Sequence, residues 1–119
     1  MAQDRPTASE LLNAIADFLR DEATPALDKS DPRLGFQMRV AVNSLAILER
    51  EGRLGPDADA RELARLKRLL GRDGTLAELN RELARQLRAG ERDEADAELM
   101  AHLEATTADK IAIANPKWR

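Results

Sequence analysis

Phe36-Gln37-Met38-Arg39-Val40-Ala41-Val42-Asn43-Ser44-Leu45-Ala46-Ile47-Leu48-Glu49-Arg50-Glu51 is the most apolar stretch of a 119-residue chain. Nine of its side chains (Phe36, Met38, Val40, Ala41, Val42, Leu45, Ala46, Ile47 and Leu48) are apolar and leave almost no polar face. A helix apolar nearly all round belongs in the interior of a bundle. The segment 36–51 is therefore expected as a buried central second helix in an all-α, compact bundle of about five helices. Composition agrees. The chain has 21 Ala and 18 Leu against 6 Val plus Ile, which favours helices and excludes a β-sandwich or barrel. Its length fits one helical domain over 1–119.

The other helices follow from punctuation on either side. Thr7-Ala8-Ser9-Glu10, after Pro6, matches a capping box. Leu11, Leu12, Ile15, Phe18 and Leu19 then recur at helical spacing until Thr24-Pro25, where this first helix is expected to end. A polar connector closes at Gly35. Beyond the central segment, Gly52 and Gly55-Pro56 mark an exit. A third helix is expected over about 59–70, capped by Gly71. A second capping box, Thr75-Leu76-Ala77-Glu78, opens a fourth that Gly90 stops. The fifth spans about 94–114 and ends before Asn115-Pro116. The pentapeptide Arg61–Arg65 recurs as Arg81–Arg85, which two helices of similar composition explain without a repeat architecture.

Charge narrows the function. The net charge is −3, but residues 53–92 carry 10 basic and 7 acidic groups while both flanks are acidic. An acidic chain with two Phe, one Trp and no Tyr is a poor candidate for nucleic acid. No apolar run reaches the length of a membrane span. The polar start, MAQDRPTASE, lacks a leader-type apolar stretch, so a cytoplasmic location is expected. Without cysteine there is no thiol chemistry or disulfide framework. One histidine, His102, makes a histidine metal site or histidine pair untenable, and it is expected on a helix surface. No phosphate-binding glycine loop is present, since Gly71-Arg72-Asp73-Gly74 lacks the following Lys-Ser/Thr. No catalytic residue, metal or cofactor is expected.

Two groups of polar residues stand out. Arg61, Arg65, Arg68 and Arg72 share one helix face, and Arg81, Arg85, Arg88 and Arg92 repeat their spacing. Such stripes either face an acidic partner or an anionic ligand, or pair with neighbours such as Glu62, Glu78 and Glu82. Within the central segment Arg39 and Asn43 need partners if buried. For Arg39 that partner is expected to be an acid such as Asp109.

Three segments, Gln3–Thr7, Arg39–Glu51 and Asp109–Pro116, with Leu70–Gly74 between them, resemble a small bacterial family of uncharacterised domains over essentially the whole chain. That family includes the B component of levulinate catabolism and is associated with aminoglycoside-phosphotransferase-like kinases and acyl-CoA dehydrogenases. The resemblance implies a non-catalytic accessory subunit supporting a kinase that phosphorylates a hydroxyacyl-CoA. A self-associating helical module (a homo-oligomer) and a small acyl-CoA-binding protein are the alternatives. If the shared segments have one role, the resemblance also implies a cluster of Asp4, Arg5, Arg39, Asn43, Asp109 and Asn115, with Asp109 the first choice of carboxylate for Arg39 and Asp4 the second.

Overall fold

The computed structural model describes residues 4–117, and among these there is no strand. Helix α1 (Ala8–Phe18) passes through a π-helical turn (Leu19–Ala23) directly into α2 (Thr24–Ser30). Three further helices follow: α3 (Pro32–Leu70), α4 (Leu76–Arg88) and α5 (Ala97–Ala114). The described residues are all-α, in four continuous rods rather than five.

Two expected breaks do not occur. At Thr24-Pro25 the helix widens instead of stopping. The Thr24 N–H and hydroxyl both donate to the Leu19 carbonyl, five residues back, the hydroxyl at 2.7 Å. The wider turn makes room for a proline ring that would strike the carbonyl four residues earlier in a regular α-helix. At Gly52 and Gly55-Pro56 the helix also continues, so the expected second and third helices are one rod of 39 residues with Pro56 inside it. Gly52 and Pro56 are exposed. Water can therefore reach the Gly52 carbonyl that Pro56 has no N–H to serve, and strong helix formers on the C-terminal side carry the rod onward.

The chain divides into two compact units, Met1–Arg53 and Leu54–Arg119. In the N-terminal unit α1 begins as expected. The Thr7 hydroxyl accepts from the Glu10 N–H at 3.1 Å, and the Glu10 carboxylate accepts from the Thr7 N–H at 3.0 Å. Two polar clasps tie this rod to α3. Ser9 Oγ and Arg53 Nε each donate to Glu49 Oε1 at 2.8 Å. Arg39 Nη1 reaches both oxygens of Asp28, at 2.8 and 3.1 Å. Gly35 is buried beneath Asp28, where a Cβ would collide with that carboxylate.

The segment 36–51 is not the buried centre its composition suggests. Phe36, Val40 and Leu48 are 62%, 52% and 53% exposed, and Leu45 and Ile47 are half-buried. Within its unit the segment has one companion rod, which can cover only one of its sides.

The C-terminal unit has the larger apolar core. Leu66, Leu79 and Leu99, one from each of α3, α4 and α5, are fully buried, and Leu69 and Leu83 complete the cluster. Each such side chain contributes about 1.5–3 kcal/mol by leaving water. Gly71, at φ 65°, closes α3, and Thr75 caps α4 through the expected reciprocal bonds. Arg92 joins all three helices. It donates to the Leu69 carbonyl in the last turn of α3, to Gln86 on α4 and to Asp96, the N-cap of α5. A cation at a helix C-terminus satisfies an orphan carbonyl and opposes the negative end of the dipole.

Two substitutions test this account in thermal or urea unfolding. Gly35→Ala should lower stability by about 1–3 kcal/mol, since Asp28 must leave its place against Arg39. Gly52→Ala should raise it by about 0.5–1 kcal/mol, because nothing lies within 4 Å of the added methyl and helical alanine is favoured.

Candidate functional site

The eight stripe arginines separate into two sets. Four are tied into the C-terminal unit. Arg61 pairs with Asp109 at 3.1 Å. Arg65 donates from Nε to His102 Nδ1 and from Nη2 to Thr106 Oγ1, each at 3.2 Å. Arg85 chelates Glu82 and Glu91, and Arg92 forms the three-helix tie described above. The strength of the Arg85 pair is visible in Glu82. Arg85, with Gln86 second, pulls its carboxyl down to about 2.

Arg68, Arg72, Arg81 and Arg88 differ. All four are exposed, and within the described residues none has a hydrogen bond or an ion pair within 4 Å. Arg72 and Arg81 both exert a pull on the Glu78 carboxyl, which the Thr75 cap already holds below the usual carboxylate range. The end of α3, the turn after it and α4 thus each carry exposed guanidinium groups without a close partner among the described residues. Guanidinium is the cation suited to bidentate contact with carboxylate or phosphate.

The expected polar cluster is distributed over several contacts. Arg39 finds Asp28 rather than Asp109, because the α2–α3 turn brings a carboxylate eleven residues away directly beside it. Asp109 is taken by Arg61. Arg5 sits 3.7 Å from Glu10, Asp4 and Asn43 are exposed, and Asn115 caps α5 by donating its N–H to the Ile111 carbonyl. The clasp residues Ser9, Glu49 and Arg53 belonged to no expected site. Their sequence signal is faint: Glu49 continues the seven-residue line of Gly35 and Val42 on the side of α3 that faces α1. Arg53, with Ser9 second, keeps the Glu49 carboxyl below its usual range.

His102 corrects the sequence expectation of a surface histidine. It is 4% exposed, between Arg65, Arg68, Leu69, Glu98 and Ala101, beside a small cavity of about 110 Å³. With Nδ1 accepting from Arg65, the neutral ring carries its proton on Nε2. Burial, then the neighbouring Arg65 charge, lowers its pKa, while Glu62 opposes them. That cavity is smaller than the roughly 300 Å³ at which small-molecule sites begin. The depressions along α5 near Thr107 and Ile111 are lined by residues of that single helix. Among the described residues no group of three metal-ligating side chains comes together.

An all-helical fold with a paired histidine and a free arginine surface defines a class of small helical domain rather than a known active site. The chain belongs to the family described as a domain of unknown function, DUF6285, which matches residues 25–118. No curated protein and no solved structure matches it. No described helix is long and apolar enough to cross a membrane.

Neutral His102 contributes stability that is fully present above its unfolded pKa and is lost as pH falls through its lower folded pKa. The thermal midpoint should therefore drop between about pH 7 and pH 5. His102→Gln, which keeps an acceptor for Arg65 but cannot gain a proton, should remove about half or more of that drop.

Proposed function

We propose that the protein is a non-catalytic accessory subunit of a phosphotransferase-like kinase acting on hydroxyacyl-CoA, and that the kinase docks on the arginine surface of the C-terminal unit. The observation that carries this reading is the uncommitted state of Arg68, Arg72, Arg81 and Arg88. Their neighbours Arg61, Arg65, Arg85 and Arg92 are spent on internal contacts. Four guanidiniums at the end of α3, in the turn after it and on α4, without a hydrogen bond or close ion pair among the described residues, offer an acidic partner strong contacts at little loss of internal pairing. The family resemblance supplies the identity of the partner. The division of labour follows from chemistry: phosphoryl transfer needs a positioned nucleotide, magnesium and a base, and a kinase brings all three. The accessory chain then contributes orientation and encounter rate, which complementary surface charge provides without chemistry of its own.

The test is reconstitution with an aminoglycoside-phosphotransferase-like kinase and a 4-hydroxyacyl-CoA. The accessory chain alone should give no phosphorylated product, and its addition should raise the rate of the kinase. Arg72→Glu with Arg81→Glu should weaken the complex about tenfold or more while leaving the melting profile intact. Arg65→Glu and Arg92→Glu should act first on stability. Phosphorylation by this chain alone, or a kinase indifferent to its presence, overturns the proposal.

A further inference from the structure

The N-terminal unit poses a separate question. Among its described residues, the buried set contains Ala16 and no larger apolar side chain; the others buried are Thr24, Gly35 and Glu49. Leu11, Ile15 and Phe18 on α1 are 48%, 48% and 55% exposed, and Leu34 and Leu48 on α3 are 40% and 53% exposed. These five are not scattered. On α1 and the start of the π-turn the side turned to α3 carries Leu12, Ala16 and Leu19, and Leu11, Ile15 and Phe18 each precede one of them by one residue. On α3 the corresponding side carries Gly35, Val42 and Glu49, and Leu34, Ala41 and Leu48 likewise precede each by one. In an antiparallel pair of right-handed helices, positions one residue before the seam fall on the same side of it from both helices. The hairpin therefore has one apolar face. Phe36 and Val40 lie across α3 from it.

We infer that this face is covered by the same face of a second copy of the chain, two hairpins closing into a four-helix bundle about a twofold axis. Size supports the occupant. Each half-exposed Leu, Ile or Phe offers on the order of 80–100 Å², so the five offer about 450 Å². A stable interface of about 800 Å² per partner, roughly 60% apolar, needs about that amount. Charge gives the arrangement. Apart from the Asp28–Arg39 and Glu49–Arg53 pairs within each hairpin, the rod 8–30 carries four acidic and two basic residues, and the stretch of α3 from 32 to 53 carries two basic and one acidic. Stacking α1 of one copy over α3 of the other sets the acidic rod against the basic one twice, as an isologous contact requires. A two-helix layer has no enclosed interior, and a second identical layer is the smallest addition that supplies one. This surface is separate from the arginines of the C-terminal unit, and either proposal can fail without the other.

Sedimentation equilibrium or light scattering on the full chain at about 100 µM reads the result. The expected mass is twice 13.2 kDa. Phe18→Lys and Leu48→Lys should each raise the dimer dissociation constant at least about tenfold. Phe36→Lys and Val40→Lys, as exposed but off the face, should leave it within about twofold. Circular dichroism checks that helix content is retained, and if a lysine variant loses it, Phe18→Gln and Leu48→Gln are read instead. A monomeric wild-type chain overturns the inference. So does a dimer that survives the Phe18 and Leu48 substitutions, or one dissociated as readily by Phe36→Lys as by Phe18→Lys.

Discussion

Where the leucines are spent governs much of this structure. Leu66, Leu69, Leu79, Leu83 and Leu99 form a cluster that draws in Leu63, Leu70 and Leu76, so eight of the chain's 18 leucines serve the C-terminal unit's core. Along the seam of the N-terminal unit Ala16 is the one fully buried apolar side chain among the described residues, with Leu12, Leu19 and Val42 half-buried beside it, and so small a buried area holds two helices weakly. Polar clasps take over that task there, with Glu49 accepting from Ser9 and Arg53, and Asp28 from Arg39. A carboxylate can be buried only when its charge is answered at short range. Glu49 meets that condition with two donors at 2.8 Å.

The helical class was legible because it rests on local chemistry. Both capping boxes, at Thr7 and Thr75, and the glycine after Leu70 behave as their residue types dictate. The breaks at Pro25 and Pro56 misled because a proline reports the loss of one donor, and neither a π-turn nor an exposed carbonyl can be recognised from that loss. The exposure of segment 36–51 is invisible in its composition for another reason. Hydrophobicity states what a side chain would gain by leaving water, and says nothing of whether the chain has another element to cover it.

The polar contacts were the least legible part. Arg61, Arg65, Arg85 and Arg92 are indistinguishable in sequence from Arg68, Arg72, Arg81 and Arg88, since each set takes two members from each of the two equally spaced stripes. What separates them is which carboxylate, imidazole or carbonyl the fold brings alongside, and that depends on contacts up to 48 residues apart. His102 illustrates the point. Its neighbours on the helix suggested water, while an arginine 37 residues away supplies the donor that lets the ring be buried.

The π-turn at Leu19–Ala23 also sets a phase. One extra residue per turn shifts everything after it by about 100° around the helix axis. Asp28 lies beyond that shift, and its carboxylate meets Arg39 only with the shift in place. A regular α-helical pitch over the same residues would carry Asp28 about 100° around the axis from Arg39 and return Pro25 to a backbone that has no room for its ring. The extra residue and the wide turn that absorbs it are therefore matched, and neither can be changed without the other while Asp28 keeps its place.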